Sequence, residues 1–542
     1  MTALAEFAML SQGWRRALLM ILAGAIAALA MPPLFFLPAL FVGVSVLVWA
    51  LDGAEREKGV FRRLIGPAFW IGFNFGLGYF AVSIHWVGAA FFVDGGWLLA
   101  AMPVAVLGLA AILSLFWAFG VSLAHFLWSD SWLRIFALAG FLALAEFARG
   151  HLFTGFPFNL FGYALTANPE MMQAASLVGI YGLSFAAIVV AATPALVWPA
   201  AERALVSRLL PLFVAVGLIT LQLAWGHYRL GDITVEENPD MRVRMVQPVV
   251  AQDIKWQTFA REEIVNRLID LSTMHTNPED EGLDDVTHLI WPEAALPFFL
   301  SDEPQYIAQI ARALPDHITL LTGAPREAYG SDGSIVPGQR PFNSILAFNS
   351  DGEVISSYDK THLVPFGEYL PFQDFFERFG LSQFVHGSEG WAPGDARRLM
   401  NLPGTPAFLP LICYEILYSG RLGAPVADAQ FILVLTNDAW FDYSIGPAQH
   451  FHHARLRAVE EGLSMIRVAN SGISAIVDPL GRVTVQLRER EIGAVKGSPS
   501  LPIGGTLFTQ YRHMPFFALI VLGLVLGLLG VALQKRRQAK HL

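Results

Sequence analysis

The sequence predicts a membrane bundle of about eight transmembrane helices plus an extracytoplasmic α/β domain, and three observations predict it. Eight apolar stretches are long enough, or nearly so, to cross a bilayer as helices. Basic residues flank these stretches on alternate sides only. From about residue 240 the pattern changes to short β-rich runs separated by turn signals and helical stretches. Composition agrees: of 542 residues 54% are hydrophobic and 15% charged, with 41 Phe and a mean hydropathy of +0.48, too apolar for an ordinary soluble enzyme. A net charge of -9 and a pI near 5.9 supply no basic field, and no Lys/Arg run is long enough to form a nucleic-acid-binding arm.

The stretches run approximately 15–31, 34–51, 65–89, 97–126, 132–149, 171–199, 209–227 and 514–534. Arg15 and Arg16 precede the first; Arg56, Lys58, Arg62 and Arg63 lie between the second and third; Arg134 follows the fourth; Arg203 and Arg208 separate the sixth and seventh; Lys535, Arg536, Arg537 and Lys540 follow the eighth. All fall on one side if every stretch crosses. The alternate loops 32–33 and 90–96 carry no Lys or Arg, and 150–170 has none beyond Arg149 at its edge. Both termini are therefore expected in the cytoplasm and residues 228–512 on the opposite face. The first stretch also has the marks of a secretory signal, since Arg15 and Arg16 precede an apolar core and Ala27, Ala28 and Ala30 are small. Cleavage there would leave Arg56 to Arg63 where they are, but only the eight-span count accounts for Arg15 and Arg16 equally well.

The expected division is a seven-helix membrane domain over 1–230, a catalytic domain over 231–510, and a terminal helix with a basic tail over 511–542. Within the middle part, strands are predicted at Arg242 to Gln247, Val286 to Trp291, Ile318 to Gly323, Ser344 to Asn349, Val354 to Tyr358, Phe408 to Ile412, Phe431 to Thr436, Met465 to Ala469 and Ile473 to Val477. Ser350-Asp351-Gly352 and Asp478-Pro479-Leu480-Gly481 read as hairpin turns, and helices are predicted over 258–274, 303–313 and 447–463.

Three residues at the ends of apolar runs carry chemistry. Cys413, the only cysteine, ends the run Phe408 to Ile412 and enters a turn, where aligned N–H groups and a nearby lysine would lower a thiol's pKa. Taken alone it is more often a small buried hydrophobe. Glu293 follows a buried-looking strand and the extended step at Pro292, a place where a desolvated carboxylate can act as general base. Lys360 could stabilise an oxyanion and the thiolate, although a lysine beside Asp359 is more often a solvated ion pair.

Trp291-Pro292-Glu293, the run Tyr358 to Glu368 around Lys360, and Cys413-Tyr414-Glu415 resemble the Glu-Lys-Cys blocks of the nitrilase (carbon-nitrogen hydrolase) superfamily, in order and separation. With seven spans before that domain and one after it, the chain resembles the apolipoprotein N-acyltransferases of the bacterial inner membrane. Thr436 to Phe441, Gly446 to His450, Arg467 to Gly472, Glu146 to Gly150 and Thr154 to Pro157 are similar to that branch as well. Phe158 departs from it, standing where Trp is expected.

The resemblance implies a nitrilase-like α-β-β-α sandwich and a two-step reaction without metal or other cofactor. Cys413 would take an acyl chain from a phospholipid as a thioester and pass it to the α-amino group of a diacylated apolipoprotein's N-terminal cysteine. Glu293 would move the protons and Lys360 would hold the oxyanion. Glu368 and Glu415 are implied as acids that orient the lysine or the substrate amine, while Tyr414, Asn343, Trp256 and Trp440 are candidates for positioning or for lining the lipid path. A monomer in the inner membrane with a periplasmic catalytic domain is the expectation.

His450, His452 and His453 invite a metal reading, but on a helix adjacent His452 and His453 point to different faces. The Phe-rich stretches Phe35 with Phe36, Phe91 to Val93 and Phe372 to Phe376 suit lipid contact or core packing. Two alternatives stay open: a membrane-tethered amidase or nitrilase using water as acceptor, and a transporter with an extracytoplasmic binding domain. Eight spans exceed what an anchored hydrolase needs, and the intramembrane charges a transporter uses are few, chiefly His85, Glu146 and Arg149.

Overall fold

The computed structural model describes residues 2–96, 98–198, 205–329, 334–336, 338–371, 378 and 390–540. Arg203 and the Phe372 to Phe376 stretch lie outside the described residues. The chain forms two compact units, one of Met1–Gly88, Leu99–Asp232 and Thr506–Leu542, the other of Ala89–Leu98 and Ile233–Gly505.

In the first unit all eight apolar stretches contain a helix: Gly13–Ala28, Leu37–Asp52, Pro67–Ser83, Leu98–Phe126, Arg134–His151, Ala175–Ala192, Leu205–Asp232 and Met514–Lys540. Among the described residues five helices are long and apolar enough to cross a membrane: Val60–Ser83, Leu99–Phe126, Ala175–Leu196, Leu209–Asp232 and Met514–Lys540. Gly13–Ala28 and Leu37–Asp52 are shorter, at 16 residues each, and Arg134–His151 holds three charges.

Small residues let these helices approach closely. A Cβ on Gly24 would lie 1.9 Å from the Phe75 carbonyl oxygen, and one on Gly78 would lie 1.9 Å from that of Ile21. The pair of glycines therefore brings Gly13–Ala28 and Pro67–Ser83 backbone to backbone, the packing that lipid-embedded helices use in place of hydrophobic burial.

Two buried charges of this unit, Glu146 and Arg149, are bonded to its own backbone. Glu146 accepts the Phe161 N–H at 3.1 and 3.3 Å. Arg149 donates to the carbonyls of Phe156 and Phe158 at 2.5 and 2.9 Å and lies over the Phe80 ring. Together they tie segment 156–161 to the helix Arg134–His151, supplying the partners that buried charge requires. Phe158 itself is buried edge-on against Trp86, at 5.0 Å between ring centroids.

The second unit holds twelve strands among its described residues: β1 Val243–Gln247, β2 His288–Ile290, β3 Thr319–Arg326, β4 Phe342–Phe348, β5 Val354–Asp359, β6 Met400–Leu402, β7 Thr405–Ile412, β8 Phe431–Thr436, β9 Ser464–Ala469, β10 Ser474–Val477, β11 Val483–Leu487 and β12 Gly493–Gly497. They form two six-stranded sheets, ordered β12-β1-β2-β3-β4-β5 and β11-β10-β9-β8-β7-β6. In each sheet three neighbouring strands are parallel, β1-β2-β3 and β7-β8-β9, with antiparallel strands on their flanks.

Strand periodicity builds the layers, because successive side chains point to opposite faces. Phe408 and Ile412 of β7 pack between the sheets with Val243, Met245, Ile345 and Ile466. Leu409 and Leu411 of the same strand face Phe451, Ala454 and Ala458 of the helix Gly446–Glu461. On the opposite side Val246, Leu289 and Leu320 pack against Ile264, Leu268 and Ile310 of the helices Arg261–Thr273 and Pro304–Ala313. The result is the expected α-β-β-α sandwich.

All nine predicted strands are present and both predicted turns join antiparallel pairs, β4 to β5 and β10 to β11. The three predicted helices are also present, and Gly462, left-handed at φ 70°, ends Gly446–Glu461. The strands β6, β11 and β12 were not predicted. β6 has three residues, β11 alternates half-buried Val483 and Val485 with exposed Thr484 and Gln486, and β12 begins and ends in glycine. All three are outer strands of their sheets, so none shows the apolar run that marks a central strand.

Candidate active site

The second unit gathers the predicted residues at strand ends. Glu293 comes just after β2, Lys360 directly after β5, and Cys413 directly after β7. Two of these strands belong to one sheet and the third to the other, so the site needs the whole sandwich.

Glu293 is fixed by its backbone. Trp291, fully buried, donates from its indole to the Ser272 hydroxyl at 2.9 Å, and its N–H bonds the Leu321 carbonyl of β3 at 2.8 Å. Gly323 of β3 lies directly beneath the turn: a Cβ there would come within 2.4 Å of the Ala294 nitrogen and 2.6 Å of the Glu293 Cα. Gly323→Ala is therefore expected to push Glu293 out of place, slowing about 100-fold any reaction that this carboxylate serves. The overpacking would cost about 1–3 kcal/mol of stability. Steady-state rates and thermal unfolding of the variant check both.

The Glu293 carboxylate is one member of a buried network. Its Oε1 accepts from Asn343 Nδ2 at 2.8 Å, and the same Nδ2 donates to Glu368 Oε1 at 3.1 Å. Lys360 Nζ donates to Glu368 Oε1 at 2.9 Å and stands 3.6 Å from Glu293 Oε1. Glu368 is held in turn by the Val364 N–H on its Oε2 at 2.8 Å. Burial works against the Lys360 charge, but Glu368, Glu293 and Cys413 more than reverse it, so its ammonium stays protonated far beyond the usual lysine range. Lys360 is thus a fixed cation rather than a base. Lys255 adds a second buried amine, donating to the Glu293 carbonyl at 3.1 Å, and burial brings it down to about 8 against the pull of Glu293.

Cys413 is partly buried and adopts φ +50°, a left-handed conformation in a residue that is not glycine. Burial and then the Glu293 charge push its thiol up, while Lys360 and a hydrogen bond from Thr436 pull the other way and lose. This differs from the lowered thiol expected from the sequence: the lysine acts in the anticipated direction, but burial beside a carboxylate outweighs it. The resting group is a thiol, and a base is needed to ionise it.

Glu415 is fully buried and ties the Lys360 loop to the Cys413 turn. Its Oε1 accepts from the Thr361 N–H and hydroxyl and the His362 N–H, at 3.0, 2.7 and 3.1 Å, and its Oε2 from the Ile412 N–H at 2.9 Å. The Tyr358 hydroxyl lies 3.1 Å from both oxygens. Tyr414 is buried beside Tyr418 and His362. Trp256 packs against buried Trp391, whose N–H bonds the Glu368 carbonyl. Trp440 is half-buried in the turn Asp438–Phe441.

His450 also reaches the site, which its discounted metal reading did not anticipate. The sulfur of Cys413, a carboxylate oxygen of Asp438 and a ring nitrogen of His450 lie within 4.8 Å of one another. Asp438 already carries Arg467 on its Oδ2 at 2.7 Å and His450 on its Oδ1 at 3.0 Å, so its charge is neutralised by side chains. Sequence offered no signal for Lys255, and although the blocks holding Asp438, His450 and Arg467 were visible, nothing in them showed that they meet beside Cys413.

Known proteins are similar to this chain along most of its length. The family model described as the apolipoprotein N-acyltransferase N-terminal domain matches residues 23–193, and that of the carbon-nitrogen hydrolases matches residues 260–498. The apolipoprotein N-acyltransferase of Rhodopseudomonas palustris is 38% identical over 98% of both chains. That of Brucella suis biovar 1 is 42% identical over 98% of both. Among solved structures, a mutant amidase from Nesterenkonia sp. AN1 aligns at 17% identity and a TM-score of 0.35, covering 53% of this chain and 98% of its own.

Proposed function

This chain belongs to the apolipoprotein N-acyltransferases, and we propose that it carries a fatty acyl chain from a phospholipid, through a thioester on Cys413, to the α-amino group of a lipoprotein's N-terminal diacylglyceryl-cysteine. The observation that carries the mechanism is the pairing of a protonated, partly buried thiol with a carboxylate pinned by Asn343 and set 3.6 Å from the Lys360 cation.

In the first half-reaction Glu293 takes the thiol proton as the Cys413 sulfur attacks the acyl ester carbon. The carbonyl oxygen becomes an oxyanion, which the Lys360 ammonium stabilises without giving up its proton. Collapse breaks the ester C–O bond, and Glu293 returns the proton to the departing lysophospholipid oxygen. In the second half the α-amine attacks the thioester carbon and loses a proton to Glu293. Collapse then breaks the C–S bond and releases the amide, while the sulfur recovers its proton. Asn343 and Glu368 hold the carboxylate and the ammonium in register. Glu415 keeps the lysine loop and the cysteine turn together. Tyr414, Trp256 and Trp440 shape the approach for the acyl chain.

The reading extends to topology. Residues 1–230 form a seven-helix membrane domain, 231–510 the catalytic domain, and 511–542 a last span with a basic tail; the protein works as a monomer. The alternation of basic loops supports cytoplasmic termini and a periplasmic catalytic domain in the inner membrane. The glycine contacts of Gly13–Ala28 support its retention as a span. A reporter fused near residue 300 is expected to be active only outside the cytoplasm; activity inside would overturn the orientation. Glu146 and Arg149, occupied by backbone groups, support anchoring of a loop rather than transport.

The direct test is incubation of purified protein with phospholipid and a diacylglyceryl-cysteine peptide. The expected product is the N-acylated peptide with one lysophospholipid released per transfer. Release of free fatty acid with the peptide unchanged would instead favour hydrolysis by water.

A further inference from the structure

The reaction above leaves unused a buried charged cluster that touches Cys413. His450 Nε2 lies 3.2 Å from the Cys413 carbonyl oxygen, and its Nδ1 lies 3.0 Å from Asp438 Oδ1. A carbonyl oxygen only accepts, so Nε2 donates to it, while Nδ1 also lies 3.2 Å from Arg467 Nη2. Asp438 Oδ2 accepts from Arg467 Nη2 at 2.7 Å, and Oδ1 also accepts from the Thr436 hydroxyl at 3.1 Å. Arg467 Nη1 is anchored on the Ile473 carbonyl at 2.5 Å.

The cluster is built in. His450, Asp438 and Arg467 are 6%, 1% and 0% exposed, and they come from the helix Gly446–Glu461, the turn after β8, and β9. Gly472 makes room for it: a Cβ at that position would lie 2.0 Å from Asp438 Oδ2. Burial opposes the Asp438 charge, but Arg467 and His450 overcome it and hold the carboxyl well below the usual range. A permanently ionised acid that the reaction above does not use calls for another role.

That role follows from the Cys413 backbone. A left-handed non-glycine residue is strained and persists only where its surroundings over-determine it. At Cys413, φ +50°, the preceding Ile412 N–H is held by Glu415 and the following carbonyl by His450. The two bonds bracket the residue. We propose that His450, oriented by Asp438 and Arg467, is a positioning residue that clamps the Cys413 main chain in its left-handed conformation and so aims the sulfur at the acyl carbon. The inference rests on Cys413 being the nucleophile.

The test compares His450→Leu with His450→Gln, whose amide N–H can still reach the carbonyl. The readouts are the rate of Cys413 acylation from phospholipid alone, followed by mass spectrometry, and the KM for phospholipid. His450→Leu is expected to acylate about 100-fold more slowly at an unchanged KM, the signature of lost orientation, while His450→Gln recovers most of the rate. Wild-type rates in His450→Leu, or an equal fall in both variants, would overturn the proposal. Should His450→Leu fail to fold, the near-isosteric Asp438→Asn and the double variant Asp438→Asn/His450→Gln decide instead. If the two act as one unit, the double variant loses no more than the worse single; additive losses refute the clamp. Absence of any acyl adduct on the wild-type thiol would refute the catalytic reading itself, whereas an adduct that forms equally well in every variant refutes only the clamp.

Discussion

Cys413→Ala is expected to lower acyl transfer by about 10⁴-fold or more, the scale seen when a covalent nucleophile is removed, with membrane insertion and fold retained. Alanine keeps the Cβ and can be held in the same left-handed backbone, since the bonds around that backbone run to the Ile412 N–H and the Cys413 carbonyl rather than to the sulfur. The partly buried sulfur leaves only a small void, so stability should fall by about 1 kcal/mol or less. With phospholipid as the only substrate, the wild-type protein should gain the mass of one acyl chain and the alanine variant none. Cys413→Ser should acylate slowly and deacylate more slowly still, trapping an ester. Activity retained in Cys413→Ala would sink the covalent route, because no other thiol exists in the chain.

How much of this was legible in the sequence depends on whether a feature is local. The apolar runs of β1, β3, β7, β8 and β9 announce themselves because central strands are buried on both faces. Glu293 and Cys413 were readable because each follows a buried strand of a parallel set, whereas Lys360 follows the antiparallel outer strand β5 and was readable from its motif. The outer strands β6 and β11 were not legible, since one face meets solvent and their register depends on a neighbour. Electrostatics was the least legible. The thiol was expected low because Lys360 was foreseen beside it, yet its pKa is set by desolvation and by Glu293, both properties of the assembled core. Nor does spacing reveal that Asn343, about fifty residues from Glu293 in sequence, shares one amide between two carboxylates. Asp438, His450 and Arg467 meet only once a helix folds over the parallel strands, so their motif blocks were visible while their common purpose was not.

Glu293→Gln separates the roles of that carboxylate, because its charge acts on the resting thiol in the direction opposite to its work in catalysis. The amide oxygen of glutamine can still accept the Asn343 hydrogen bond, so the local geometry is preserved while base and charge are lost. Without a base, acyl transfer should fall by about 10²–10⁴-fold. The thiol responds differently. After burial, the Glu293 charge is what most raises its pKa, and Lys360 is what most lowers it among the charges nearby. Removing the carboxylate leaves the lysine less opposed, so the thiol pKa falls and more thiolate is present at any pH below it. Each unit of that fall multiplies the thiolate fraction about tenfold. Alkylation of Cys413 by a small neutral reagent such as iodoacetamide at pH 8 should therefore become faster in Glu293→Gln than in the wild type, even as transfer collapses. In the wild type the alkylation rate should climb with pH throughout the range between 7 and 9, without a plateau, because a raised thiol gains thiolate only as protons are withdrawn. A parallel loss of alkylation and transfer would mean that Glu293 serves to hold the site's shape. Faster alkylation beside lost transfer is the combination that only a proton-carrying carboxylate next to a protonated thiol produces.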